Sequence, residues 1–268
     1  MHLLYCDETN LDPRHGQFLI YGGLLVPPGQ AMEISRHIDA VRQRYGVVPE
    51  FRLKFNPKPD NMDHQQFIAL KQELMEMLTA SGCKLFAYVV LHDIASDADA
   101  ARRNGINTVC FHFHCALNRV AGTGLVLIDK FNDEGNQIDS HLRDKFTTGL
   151  TGMPYRDIRL ENIVGFHYSS IGQSHFPSMI DIALGSLRFA INAHCSQEHL
   201  PTARRLLELL SPMFWREEGQ RDIPEIGFQF SPKVIKFSGY RDRYEALKRF
   251  LDECGVSTVQ EITDQRRY

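Results

Sequence analysis

Two aspartates stand where carboxylates can meet to bind a cation. Asp7 follows the apolar run 3–6, and Asp129 follows the apolar run 125–128. Short apolar runs that end abruptly in polar residues are typical of buried strands. If the two strands are parallel neighbours, their carboxylates meet at one edge of the sheet. Carboxylate oxygens are the ligands that Mg²⁺ or Mn²⁺ prefers, and two such ions about 3.5 to 4 Å apart can promote phosphodiester cleavage.

Asp181 is a third candidate because it lies in a segment that is apolar almost all round. Pro177 fits the first turn of a helix that we expect to run to about His194. An ionised carboxylate on such a helix costs several kcal/mol unless it is paired or binds a metal. Asp181 is therefore either a metal ligand or half of a buried ion pair, with Arg188 or Lys54 as its partner.

The run 110–115 contains two cysteines and two histidines, which are zinc-ligand types. On a helix His112 and His114 point about 200° apart and cannot share an ion, whereas on a strand they can. The neighbouring apolar residues follow helical spacing. We therefore expect a helix with reduced thiols and no bound zinc.

Several function classes have little support in the sequence. The residues around His167 and His175 lack the Gly-x-Ser-x-Gly motif of a serine hydrolase, and the glycine pair Gly22-Gly23 belongs to no nucleotide-binding motif. The net charge of −3 removes a whole-chain basic signal for nucleic acid. Local basic groups can still contact nucleic acid. The cations and aromatic rings between Lys233 and Tyr244 form either a surface that binds phosphates and bases or an ordinary solvated surface.

The composition is that of a folded protein, with 43% hydrophobic and 24% charged residues in a chain of 268. We expect a single α/β domain over residues 1–268, with a core at about 1–195 and a C-terminal extension at about 196–268. The six cysteines form no Cys-x-x-Cys pair, and no secretory leader or long apolar run is evident. These features predict a soluble cytoplasmic protein with no membrane segment.

The hydrophobic pattern also places the remaining elements. Besides the two strands above, alternating or continuous apolar runs predict strands at 18–26, 50–55, 83–91 and 162–168. In the strand at 18–26, the glycine pair suggests a bulge or a close approach. Helices are expected at 30–45, from an Asp63 cap to near Gly82, at 108–120, at 138–150, at 177–194 with Ser174 or Ser178 as cap, after Pro201, and at about 240–254.

Five blocks resemble, in their order, the family of domains of unknown function numbered 3800. They are Leu4-Tyr5-Cys6-Asp7-Glu8-Thr9, the strand at 18–26, Glu50 with Lys54, the strand ending at Asp129, and Asp181 in its apolar helix. The family's first block typically reads Tyr-x-Asp-Glu-Ser-Gly, so Thr9 and Asn10 replace its last two residues. Its late block reads Gln-x-Ala-Asp, of which Ser178-Met179-Ile180-Asp181 keeps only the aspartate. The blocks span residues 4 to about 190 and leave the last third of the chain uncovered.

The resemblance implies an RNase H-like fold, here a mixed β-sheet flanked by helices, with helical insertions. It also implies a metal centre, in which Asp7, Asp129 and Asp181 are ligands, Glu50 is a fourth carboxylate that binds the metal or orients water, and Lys54 faces a phosphate. Glu8 adjoins Asp7 and is a further candidate ligand. Arg52 shares the polar face of Lys54 and is a second candidate for binding substrate.

The sequence thus predicts a nuclease that uses Mg²⁺ or Mn²⁺ to cleave DNA or RNA. The alternative is a non-catalytic RNase H-like module that binds nucleic acid or a protein partner, for instance in a phage-defence or mobile-element system. A different hydrolase that uses the same metal site is a third interpretation.

Overall fold

The computed structural model describes residues 1–130, 137–151 and 158–265. These residues form an α/β structure in which seven α-helices flank a six-stranded mixed sheet. The strands are β1 His2–Thr9, β2 Phe18–Val26, β3 Lys84–Leu91, β4 Gly124–Asp129, β5 Ile163–Ser169 and β6 Phe228–Ser231. The helices are α1 Ala31–Arg44, α2 His64–Ala80, α3 Ala98–Arg119, α4 Gln137–Thr147, α5 Phe176–Ser196, α6 Leu200–Leu210 and α7 Ser238–Glu253. In the described ranges, no helix is both long and apolar enough to span a membrane.

The sheet has the strand order β5-β4-β1-β2-β3-β6. The first three strands form an antiparallel meander, β4 lies parallel beside β1, β5 lies parallel beside β4, and β6 lies parallel beside β3. The prediction that the strands near 3–6, 18–26, 83–91 and 125–128 share one sheet is confirmed. The first and fourth strands are also direct parallel neighbours, as the metal-centre hypothesis requires.

The first strand is longer than its apolar run predicts. It continues to Thr9, because β2 goes on pairing with it at Glu8↔Tyr21 and Thr9↔Ile20. Asp7 therefore lies within the strand, and its expected position after the strand's end is wrong. Asp129 is the last residue of β4.

Side chains of β1 and β4 alternate between two cores on opposite faces of the sheet. Tyr5 and Leu127 contact the core that contains α1, α2 and α5, whereas Cys6 and Ile128 belong to the core under α3. The period of two along a strand therefore places Asp7 and Asp129 on the α5 face.

The glycine pair in β2 forms no bulge, since its pairing with β1 and β3 is continuous. It permits a close approach on both faces instead. A Cβ at Gly22 would lie 2.6 Å from Leu184 Cδ2 of α5, and one at Gly23 would lie 2.8 Å from Leu4 Cδ1. Gly22 is the register partner of Asp7, so α5 packs directly against the sheet beside that carboxylate.

Some local expectations are wrong. Residues 50–55 form no strand but a connection between α1 and α2, although their alternating burial is as expected. Neither predicted cap acts on α5, whose N-cap residue is His175 with no side-chain cap bond, because Ser174 precedes the N-cap and Ser178 lies inside the first turn. The helix expected at 108–120 begins ten residues earlier, at Ala98. Asp63 does cap α2, in a reciprocal capping box with Gln66.

Candidate functional site

Asp7 and Asp129 lie side by side on adjacent parallel strands. The pairing register runs through Cys6↔Ile128, so each aspartate is the next residue on its strand. Both side chains face α5, as the alternation of the flanking residues shows. The structure therefore brings together the two carboxylates that the sequence singles out.

Asp181 reaches the same region from the second turn of α5, which packs across β1 and β2. Its Oδ2 accepts a hydrogen bond of 2.7 Å from the backbone N–H of Phe55. Its charge acts on Asp7 and on Asp129, because it contributes to raising the pKa of each. All three predicted aspartates thus belong to one electrostatic cluster, which we call the carboxylate cluster.

Asp7 is the most perturbed member of this cluster. Burial raises its pKa well above the ordinary value, and repulsion from Glu8, Asp129 and Asp181 raises it further. The Glu8 N–H donates a hydrogen bond of 2.8 Å to Asp7 Oδ1. No Lys or Arg side chain of the described ranges pairs with Asp7. An ionised Asp7 therefore lacks the compensating cation that a buried carboxylate needs.

Asp129 and Asp181 have partial compensation. Burial is the largest effect on both and raises their pKa values. The Lys54 ammonium opposes this rise at both aspartates, and the charges of Arg188 and Lys71 oppose it at Asp181. Lys54 therefore lies near the cluster, as its predicted phosphate-facing role requires.

The segment carrying Lys54 is fixed by a contact that the sequence analysis missed. Lys71 of α2 donates a hydrogen bond of 3.1 Å to the Phe55 carbonyl, and its ammonium lies 4.2 Å from the centre of the Phe55 ring. Burial lowers the pKa of Lys71 to about 8. Its position four residues after the buried Phe67, on the apolar side of α2, is the one sequence signal that could have indicated it.

Glu8 lies on the other face of the sheet. It forms an ion pair of 3.1 Å with Arg102 of α3, and both side chains are at most 10% exposed. Burial raises the pKa of Glu8, while Arg102 opposes that rise. The structure therefore gives Glu8 a cationic partner of its own on the opposite face of the sheet, although its charge still raises the pKa of Asp7.

Glu50 and Arg52 are exposed and line a cleft of about 840 Å³ beside α5. Neither residue is among the charges that perturb the three aspartates. The structure thus places Glu50 in the neighbouring cleft and not beside the other predicted ligands.

The other candidate motifs lie within a packed helix or form ion pairs with acidic side chains. Residues 110–115 lie on α3, as predicted, and their cysteines are not disulfide-bonded. His112 is buried, which lowers its pKa to about 3. In the C-terminal basic group, three of the cations form ion pairs, namely Lys233 with Glu225, Arg241 with Asp264 and Arg243 with Asp93.

The donor atoms of the carboxylate cluster fit a hard divalent cation, because buried oxygens that repel one another are stabilised when such an ion binds. In the described part of the chain, however, no group of three His, Cys, Asp or Glu side chains is arranged to hold a metal ion.

Comparisons of this chain with family models, with curated proteins and with solved structures find no match.

Proposed function

We propose that this protein is a nuclease of RNase H-like fold that depends on Mg²⁺ or Mn²⁺ to hydrolyse phosphodiester bonds. The observation that carries the proposal is the carboxylate cluster. Asp7 and Asp129 lie on adjacent parallel strands, Asp181 faces them from α5, and Asp7 is buried without a cationic partner in the described residues. Such an arrangement is costly for a protein that binds no cation there.

The fold supports the same proposal. A mixed sheet with the first and fourth strands parallel, and with helices on both faces, positions acidic residues from two strands and a later helix on one face. The sequence blocks that resemble the family numbered 3800 contribute all three of these aspartates. The arrangement of the elements and the resemblance in sequence therefore support the same three residues.

Asp7, Asp129 and Asp181 would hold the cation, which when bound activates water and stabilises the departing oxygen. The Phe55 N–H orients Asp181 through its hydrogen bond of 2.7 Å. Lys54 supplies a positive charge close to Asp129 and Asp181, where a phosphate of the substrate would otherwise be repelled.

A non-catalytic module that binds nucleic acid or a protein partner is the second candidate. The observation that favours it is the lack, among the described residues, of three side chains already arranged around a metal position. A weak metal site and activity-neutral aspartate variants would support this candidate.

The deciding experiment is a cleavage assay on single-stranded DNA, duplex DNA and single-stranded RNA, each with Mg²⁺, Mn²⁺ or EDTA. We expect the wild type to cleave at least one substrate with a metal and none in EDTA. Asp129→Asn should lower the rate at least a hundredfold, while Asp60→Asn, which changes an exposed aspartate in the loop before α2, should leave it unchanged. Equal rates for the two variants would refute the assignment, and no cleavage by the wild type would favour the second candidate.

A further inference from the structure

The cleft that contains Arg52 adjoins the carboxylate cluster on the α5 face. Three segments form most of its walls: the α1–α2 connection, the loop after β5 and the first turn of α5. Ser178 of the cleft lies three residues before Asp181, which is about 4.5 Å along a helix axis. Ser170 of the cleft follows Ser169, the register partner of Asp129. The cleft therefore lies next to the aspartates along both of these elements.

Ser178 is the feature of the cleft that indicates a ligand. It is only 5% exposed, lines the cleft, and its hydroxyl makes no hydrogen bond with any described residue. Because the rest of the residue is buried and the hydroxyl lines the cleft, the hydroxyl is held in place and free to donate into the cleft. A ligand with acceptor oxygens would satisfy it.

The start of α5 supplies further donors beside Ser178. The N–H groups of Phe176 and Ser178 have no partner within the helix and no side chain caps them, while Pro177 between them has no N–H. The same N-terminus carries a partial positive charge. Uncapped N–H groups with a free hydroxyl among them are suited to an anion, and phosphate groups are commonly bound in this way.

Arg52 adds a unit positive charge to the partial charge of the helix start. It is exposed, forms no ion pair with the described acidic residues, and its Nε lies 3.7 Å from the position a Cβ at Gly172 would take. The guanidinium thus extends towards the loop before α5. Arg42 also lines the cleft, but it donates hydrogen bonds to the carbonyls of Val48 and Phe51 and so fixes the wall itself.

Two acidic groups modify this charge. His175 is bound to Asp39 of α1 at 2.9 Å, and Glu50 stands on the side of the α1–α2 connection. Asp39 therefore lies beside the N-cap of α5, where its pair with His175 offsets its charge, whereas Glu50 lies on the α1–α2 connection.

We propose that this cleft binds a phosphate group of a nucleic-acid backbone through Arg52, the Ser178 hydroxyl and the N–H groups of Phe176 and Ser178 at the start of α5. The identity of the ligand rests on the proposed nuclease function, since the carboxylate cluster is what places a phosphodiester substrate alongside. Binding here would hold one phosphate while a neighbouring phosphodiester lies at the aspartates. The cleft would then set substrate affinity and not the chemistry of cleavage.

The test measures binding of fluorescently labelled single-stranded DNA, duplex DNA and single-stranded RNA by anisotropy in EDTA, where no cleavage occurs. We expect Arg52→Gln to weaken binding of at least one probe about tenfold and to reduce the slope of log K against log salt by about 0.7 to 0.9, as for one lost phosphate contact. Arg249→Gln, which removes an exposed arginine on α7, is the matched control and should stay within about twofold of wild type.

Ser178→Ala separates ligand binding from a structural role. It should weaken binding about threefold while the melting temperature stays the same or rises, because the variant removes an unpartnered hydroxyl. A lower melting temperature without weaker binding would overturn the proposal, and so would equal affinities for Arg52→Gln and Arg249→Gln.

The two proposals can fail separately. Metal-dependent cleavage by the wild type together with unchanged binding by Arg52→Gln would leave the nuclease and overturn the phosphate site. Weaker binding by Arg52→Gln together with no cleavage by the wild type would retain the phosphate site and overturn the nuclease.

Discussion

Asp7 and Asp181 differ in what compensates their charge. Asp181 accepts a hydrogen bond from the Phe55 N–H and lies near three cationic side chains, so its charge is partly balanced without a metal. Asp7 has the Glu8 N–H as its hydrogen-bond donor and three acidic neighbours. The stability of the metal-free protein should therefore depend more strongly on the charge of Asp7 than on that of Asp181.

Asp7→Asn should stabilise the metal-free protein. A folded-state pKa above the unfolded value means that ionisation of Asp7 opposes folding, so this penalty is absent at low pH and grows as pH rises above about 4. Each unit by which the folded-state pKa of Asp7 exceeds its unfolded value lowers the free energy of unfolding by about 1.4 kcal/mol, and removing that penalty raises the melting temperature by roughly 3 to 5 °C. In thermal melts with EDTA, the rise in melting temperature of Asp7→Asn over the wild type should be larger at pH 8 than at pH 5.

Mn²⁺ completes this comparison. It should raise the melting temperature of the wild type, because binding to the folded state alone stabilises it, and it should do so far less for Asp7→Asn. A wild type that is indifferent to Mn²⁺, with an Asp7→Asn variant that melts lower in EDTA, would contradict a cation site at Asp7.

The stability of the protein should also depend on the protonation of His112. Its pKa is lowered to about 3 by burial first and by the charge of Lys233 second. A lowered histidine pKa contributes stability above the unfolded value of about 6.5, and that stability is lost as pH falls towards 3. The wild type should therefore lose roughly 2 to 3 kcal/mol between pH 7 and 4.5 from this residue, and His112→Gln should lose less. Urea unfolding at both pH values tests this, with His37→Gln as an exposed control.

At the scale of elements, burial patterns were easier to predict than pairing. Residues 50–55 alternate as expected, with Leu53 and Phe55 buried and Arg52 and Lys54 exposed, yet no strand pairs with them. Alternation shows which side chains face a core, and it cannot show whether a neighbouring strand is available for backbone hydrogen bonds. The adjacency of Asp7 and Asp129 was predictable because two apolar strands each led to an aspartate.

The contacts that the sequence did not reveal depend on packing between distant elements. Lys71 acts on Phe55 only because α2 and α5 both lie against the same segment. Strand β6 has four residues, too few for a clear pattern. The first half of α3 is polar, but Gly105 lets that helix approach Tyr21, where a Cβ would lie only 2.6 Å from Tyr21 Cβ.

Gly185→Ala should disturb the site through the element that it touches. A Cβ there would lie 2.4 Å from Phe55 Cβ and Cγ, so Phe55 must move away from α5 and weaken its N–H bond to Asp181. Overpacking of this kind costs about 1 to 3 kcal/mol. We expect lower stability and lower metal-dependent activity, measured by melts and by the cleavage assay. Gly239→Ala, in the first turn of α7, is the control, because its Cβ would meet only the exposed Phe237 ring at 3.0 Å, which can move, and it should be close to neutral.

At the scale of the whole molecule, the C-terminal third completes the sheet and its core. Strand β6 pairs with β3, and the Tyr244 ring of α7 lies edge-on to Phe18 at 5.3 Å. The Leu91 N–H donates to the Tyr244 hydroxyl at 2.7 Å. Gln260 pairs with both backbone groups of Phe230 as a further strand would, accepting at 2.7 Å and donating at 2.8 Å.

A fragment that ends at Ser196 should therefore fail to fold. Four side chains that are fully buried in the intact chain, Phe228, Phe230, Tyr244 and Leu247, would be lost from the core shared with β2 and β3. Burial of each such side chain contributes about 1.5 to 3 kcal/mol, so their sum reaches the total of about 5 to 15 kcal/mol that stabilises a typical protein. Circular dichroism and thermal melts of residues 1–196 should show no cooperative transition, whereas the full chain should show one. A cooperative melt of the fragment would mean that the first 196 residues hold a complete core and that the C-terminal third is a true extension.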